Sequence, residues 1–273
     1  AAALAVLAVL FIREYARDMR QASQQVSFVN QVSHELKTPL TNIRMYAELL
    51  DRDLEGMENE GAARPKERLN IILSEGQRLS RLIGNVLTFA RQQRRTLQPQ
   101  LRDEVPDRLI RKILDRFGPA FGDQRIDVQL ELNADQAMPL DPDFVEQILG
   151  NLVSNVEKYA ASGGVLRIET HLFPSESVKS GADESAASSS SLYRLTIDVI
   201  DKGPGVDRSK RTEIFQPFAR VSNTLSYAAG TGIGLSIARE LARLHGGDIV
   251  LMESSQGCWF RVTLRGGPKA DGG

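Results

Sequence analysis

Two long stripes of apolar residues constrain this chain more than any other feature. In the first, Phe28, Val32, Leu36, Leu40, Ile43, Ala47, Leu50 and Leu54 recur every third or fourth position, the spacing of one helix face. The segment 56–64, GMENEGAAR, breaks the pattern with two glycines. Pro65 then suits a helix first turn, and a second stripe runs through Leu69, Ile72, Leu79, Leu82, Ile83, Val86, Leu87 and Ala90. Two helices with a short link make an antiparallel hairpin. A lone hairpin cannot bury both stripes, and a second copy that completes a four-helix bundle can. The sequence therefore predicts a homodimer through a helical hairpin over residues 28–96.

The hairpin is preceded by the twelve apolar residues AAALAVLAVLFI. As helix they span about 18 Å, against about 30 Å for a bilayer core. We read residues 1–12 as the C-terminal part of a transmembrane helix, the alternative being a greasy helix end buried in a soluble partner. Arg13, Arg17 and Arg20 follow at once and mark the cytoplasmic side. This predicts a protein of the cell membrane with its catalytic part in the cytoplasm, residues 13–27 serving as a connecting signalling helix.

One polar cluster interrupts the first stripe: Ser33, His34, Glu35, Lys37, Thr38 and Pro39. A proline inside a helix removes one hydrogen bond and costs about 3 kcal/mol. His34 and Thr38 stand four apart on one face, away from Val32, Leu36 and Leu40, so His34 is expected to be exposed.

Beyond residue 98 the pattern becomes mixed. Helices are expected at 105–117 and at 141–160, the latter with Asp141 as cap and Pro142 at the first position. A further helix ends at Gly246. Alternation predicts strands at 126–132, 164–173, 192–201, 248–254 and 257–265. The fold class is therefore α+β, the hairpin followed by an α/β sandwich over 98–268. Residues 174–191, PSESVKSGADESAASSSS, carry no stripe and read as a disordered insertion.

Three clusters in this region could carry chemistry. Asn151, Asn155 and Lys158 fall at i, i+4 and i+7 on a helix. Amide oxygens suit a Mg²⁺ that keeps several waters, and an ammonium suits phosphate; a plain solvated face is the alternative. Asp201-Lys-Gly203-Pro-Gly205 follows an apolar strand. A carboxylate there can accept from an exocyclic amine while glycines admit a planar ligand; the alternative is a simple turn. Gly230-Thr231-Gly232-Ile233-Gly234-Leu235 opens a helix, where free N–H groups favour phosphate. Between the last two, Phe215 and Phe218 flank Pro217 in a sparse stretch suited to a lid.

Composition removes several classes. With 34 Lys and Arg against 35 Asp and Glu the net charge is −1, which argues against nucleic acid as a partner. One cysteine and three scattered histidines exclude a disulfide framework and a multi-cysteine zinc site.

Taken in order, these clusters resemble the sensor histidine kinases of two-component signalling. HELKTPL (34–40) is similar to the family's phosphoacceptor box, NLVSNVEKY to its N box, DKGPGV to its first glycine box, IFQPF to its F box and GTGIGL to its second glycine box. The resemblance covers residues 26–265. It implies autophosphorylation of His34 from ATP, transfer to an aspartate of a response regulator, and an ATP-binding domain of the kind shared with gyrase and the heat-shock chaperone. It implies roles for Glu35, beside the imidazole; Thr38, in regulator dephosphorylation; Asn155, as Mg²⁺ ligand with Asn151 beside it; Lys158, at phosphate; Tyr159, in the pocket; and Asp201, at adenine. Gly203 and Gly205 would shape that pocket, while Gly230, Gly232 and Gly234, with Thr231, Ile233 and Leu235, would lie on the phosphate side of the lid. Val156 stands where the family commonly has alanine. ATP-hydrolysing relatives of the fold carry glutamate at the position of Asn151, and asparagine cannot act as that base.

Overall fold

The computed structural model describes residues 36–50, 52, 63–93, 96–174, 193–219 and 232–266. His34, Glu35, Gly230 and Thr231 lie outside them, as do the expected membrane segment 1–12, the connecting helix 13–27 and most of the insertion. The chain divides into two compact units, the first ending at Leu82 and the second beginning at Ile83.

In the first unit, helix α1 covers residues 36–50 and helix α2 begins at Ala63. Asn42 Nδ2 donates to Glu75 Oε1 at 3.2 Å, and an Arg68 N–H donates to the Leu49 carbonyl. Pairing 42 with 75 and 49 with 68 makes the helices antiparallel, as their stripes predict. Pro39 is buried within α1 and Thr38 is exposed. The hairpin leaves part of its apolar surface bare: Leu40 is 59% exposed and Leu73 56%.

Helix α2 runs unbroken from Ala63 to Gln93, and its last turns belong to the second unit. There a five-stranded sheet has the order β2-β4-β5-β7-β6. Its strands are β2 (Asp127–Asn133), β4 (Val165–Pro174), β5 (Tyr193–Asp201), β6 (Asp248–Leu251) and β7 (Trp259–Arg265). β2 and β4 are parallel and the other pairs antiparallel. A small ladder joins β1 (Arg102–Glu104) to β3 (Met138–Leu140). The helices of this unit are α3 (Pro106–Asp115), α4 (Gly118–Gln124), α5 (Pro142–Asn155) and α6 (Gly234–Leu244).

Alternation decides which side of the sheet is core. Leu166, Ile168, Leu195, Ile197, Val262 and Leu264 are fully buried, as are Ile148, Leu149, Ile237 and Leu241 of α5 and α6. The other side carries paired charges: Arg261 binds Asp198 through two bonds of 2.8 Å, and Arg167 spans Glu131 and Glu169. α5 starts as predicted, with Asp141 Oδ1 accepting from the N–H groups of Asp143 and Phe144 and Pro142 in the first turn. The helix expected over 141–160 is α-helical only to Asn155, and Val156–Ala160 continue as a π turn. This i→i+5 turn takes Lys158 out of the phase of Asn151 and Asn155. No helix among the described residues is long and apolar enough to cross a membrane.

Candidate functional site

Asp201 ends β5, and the period-2 alternation puts it on the face of Leu195, Ile197 and Val199, under the helices. It is only 5% exposed. Its Oδ1 accepts from the N–H of Gly203 at 2.8 Å and of Cys258 at 3.2 Å. Among the described residues no donor reaches Oδ2. Burial raises the carboxyl pKa above its ordinary value, opposed by the two N–H donors. An acceptor that is buried, oriented and half-satisfied fits an exocyclic amine.

Glycines allow the chain to close tightly around this carboxylate. A Cβ at Gly203 would lie 2.5 Å from the Cβ of Ala160, the last residue of the π turn. Gly257, with φ +71°, would place a Cβ 2.0 Å from the Asp201 carbonyl oxygen. Only glycine tolerates both the angle and the approach. The contact of Gly203 with Ala160 sets the segment carrying Asn155, Lys158 and Tyr159 beside the loop after Asp201. Asn155 is half-buried, and its amide makes no hydrogen bond among the described residues. Lys158 and Tyr159 are exposed on the π turn. The neighbouring Cys258 thiol is pushed up to about 12 by burial and by the Asp201 charge, which makes it unreactive.

The F box and the second glycine box meet directly. The Phe218 N–H donates to the Gly232 carbonyl at 2.9 Å. Both residues have positive φ, +68° and +69°, and a Cβ on Gly232 would come within 2.9 Å of Phe218 Cα. Phe215 packs edge-on against Phe260 and under the Arg239 guanidinium, 4.7 Å from its ring centre. Arg239 is itself held by two bonds to Asp248. Ile233 is fully buried, and Gly234 and Leu235 begin α6.

One group of residues escaped the sequence reading. Asn85, in the last turns of α2, exchanges two hydrogen bonds with Asn151: Asn85 Nδ2 donates to Asn151 Oδ1 at 2.8 Å, and Asn151 Nδ2 donates back at 3.2 Å. Gln147 Nε2 donates to Asn85 Oδ1 at 3.0 Å, and Thr88 Oγ1 donates to Gln147 Oε1 at 2.9 Å. Phe89 meets the Phe218 ring edge-on at 5.8 Å. The available signal was a matched pair of polar faces: 85 and 88 interrupting an apolar stripe, and 147, 151 and 155 at helical spacing.

The residues suit Mg²⁺ of one kind. Among the described residues no three His, Cys, Asp or Glu side chains cluster to form a metal cage. The free Asn155 amide is the donor expected for an ion held by one or two protein oxygens plus phosphates and water.

Comparison with known proteins decides the family. The family described as "His Kinase A (phospho-acceptor) domain" matches residues 24–95, and "Histidine kinase-, DNA gyrase B-, and HSP90-like ATPase" matches residues 140–268. The chain belongs to the sensor histidine kinases. The chain is 28% identical over 259 residues to the alginate biosynthesis sensor protein KinB of Pseudomonas aeruginosa, covering 94% of the chain and 40% of that protein. It is 32% identical over 246 residues to the sensor protein kinase WalK of Staphylococcus epidermidis, covering 87% and 36%. The chain thus spans well under half the length of these curated relatives. In fold it resembles the histidine kinase AdeS of Acinetobacter baumannii at a TM-score of 0.51 and 21% identity, covering 85% of this chain and 96% of that one. Full-length ShkA in complex with AMPPNP gives 0.52 at 21% identity, covering 88% and 45%. The phospho-acceptor match contains His34, Glu35 and Thr38, and the ATPase match contains the sequence-predicted site residues from Asn151 to Leu235.

Proposed function

We propose that this kinase uses ATP to phosphorylate its own His34 and then passes the phosphoryl group to an aspartate of a separate response regulator. The observation that carries the ATP-binding half is Asp201, a buried carboxylate fixed through Oδ1 and open at Oδ2, beside the segment with the free Asn155 amide. The ATPase family match and the phospho-acceptor match supply the two halves of the reaction.

In this reading Asp201 accepts from the adenine amine, with Gly203, Gly205 and Tyr159 shaping the pocket. Lys158 and the N–H groups from Gly230 to Leu235 contact phosphate, and Asn155 holds Mg²⁺. When bound there, Mg²⁺ would supply charge neutralisation at the phosphate oxygens. His34 is a competent nucleophile because an unperturbed imidazole, with a pKa of about 6.5, is largely neutral near pH 7. One ring nitrogen forms the bond to the γ-phosphorus as the bond to ADP breaks, while the Glu35 carboxylate holds the proton on the other nitrogen. Thr38, exposed on α1, orients water in dephosphorylation of the regulator.

The domain scheme follows: residues 1–12 in the membrane, 13–27 as connecting helix, 28–96 as dimerising hairpin and 98–268 as ATP-binding domain in the cytoplasm. The bare Leu40 and Leu73 of the hairpin support a second copy as partner.

Incubation with γ-labelled ATP and Mg²⁺ tests the reading. The chain is expected to acquire acid-labile, base-stable label, and His34→Gln is expected to acquire none. Equal labelling of the variant overturns the assignment of His34.

A further inference from the structure

The reading of Asn151 as an ATP-site residue leaves open what fixes its amide. An asparagine side chain can rotate about its last bond and exchange an acceptor for a donor, so a site that uses one of them needs the rotation stopped. Asn85 stops it. The two amides form a closed pair in which each donates to the other, at 2.8 and 3.2 Å. Turning the Asn151 amide alone would set oxygen against oxygen and N–H against N–H, so the pair resists it. Gln147 Nε2 also donates to Asn85 Oδ1 at 3.0 Å. Thr88 Oγ1 donates to Gln147 Oε1 at 2.9 Å, at the end of the network away from Asn151.

The placement also suits the site. Asn151 lies one turn before Asn155 on α5, and its Oδ1 is 3.1 Å from where a Cβ on Gly234, the first residue of α6, would stand. The pair uses one lone pair and one N–H of Asn151, leaving the second lone pair and second N–H for a ligand. Among the described residues Asn151 is the one group assigned to ATP that Asn85 hydrogen-bonds, and Asn85 acts through it.

We propose that Asn85 is a positioning residue for nucleotide binding, holding the Asn151 amide in the orientation that the ATP-site reading requires. This rests on that reading, and the experiment separates the two. ATP·Mg²⁺ affinity is measured by calorimetry for the full chain, Asn85→Ala, Asn151→Ala and the double variant. Removing an orienting hydrogen bond is expected to weaken ATP about fivefold in the parent background. In the Asn151→Ala background the same change is expected to do nothing. Thr88→Val removes a bond in the same contact without touching Asn151, and is expected to cost less than Asn85→Ala.

An equal loss in both backgrounds, or an equal loss from Thr88→Val, makes Asn85 a general packing residue and overturns the proposal. So does unchanged affinity on Asn85→Ala. A parent chain that binds no ATP fails the ATP reading itself, and the proposal with it. If Asn85→Ala does not fold, Asn85→Leu, of similar volume and without a hydrogen-bonding group, enters the cycle in its place.

Discussion

At Asp201 the requirements of folding and of the proposed binding role pull apart. Its carboxyl is buried, and burial raises its pKa against the opposition of two N–H donors. With the folded value above the unfolded one, the folded state holds the proton more tightly. The carboxylate therefore costs stability at neutral pH, and that cost is relieved as pH falls through the folded value. Asp201→Asn keeps an oxygen for Gly203 and Cys258 and removes the charge. The variant is expected to melt no lower than the parent at pH 7, by calorimetry, while ATP binding weakens by at least about tenfold. A variant that loses stability and keeps its affinity would reverse the assignment. The place of the residue was legible in advance, because an acid closing an apolar strand ahead of two glycines marks a strand end followed by a tight turn. Asn85 was harder to read, because a polar interruption of an apolar helix face gains meaning only when it is matched to a polar face on another helix.

Among the elements, α5 joins the fold to the site. Its start is tied to α6 and β7 by His245, which is 3% exposed. The ring's Nε2 accepts from the Asp141 N–H at 3.0 Å, so Nδ1 carries the proton and donates to the Arg265 carbonyl at 3.0 Å. Burial lowers the ring's pKa, against the opposing pull of the backbone bonds and the Asp141 charge. The unfolded chain takes up its proton near pH 6.5 and the folded chain resists. Stability is therefore full above about pH 6.5 and falls below it by up to ~1.4 kcal/mol per pH unit, until the folded value is reached. The melting temperature is expected to drop between pH 7.5 and 5.5, and His245→Gln to flatten that slope; an unchanged slope removes His245 as its source. The five strands of the sheet and helices α3 and α5 were legible because each carries its period for several residues. β1 and β3 were not: each has three residues, and their pairing of Arg102 with Leu140 is set by tertiary structure. α4, GPAFGDQ, has a loop composition, and the π turn after Asn155, which ends at Ala160 against Gly203, has no periodic signature in the sequence.

For the whole molecule, the hairpin is the surface that asks for a partner. Leu40, Leu69 and Leu73 are 59%, 45% and 56% exposed in one chain. Fully burying a leucine is worth about 1.5–3 kcal/mol, so covering these residues on each of two copies contributes to holding a dimer. Leu73→Lys is expected to shift the chain toward monomer in sedimentation equilibrium while leaving ATP affinity unchanged. A dimer of parental strength would remove this face from the interface. The single thiol of the chain has a practical consequence at the same scale. With its pKa pushed up to about 12 beside Asp201, Cys258 is almost entirely protonated near neutral pH. To maleimide dyes and spin labels this stretch of chain presents almost no reactive thiol, so a cysteine introduced at an exposed position of it becomes its main reporter.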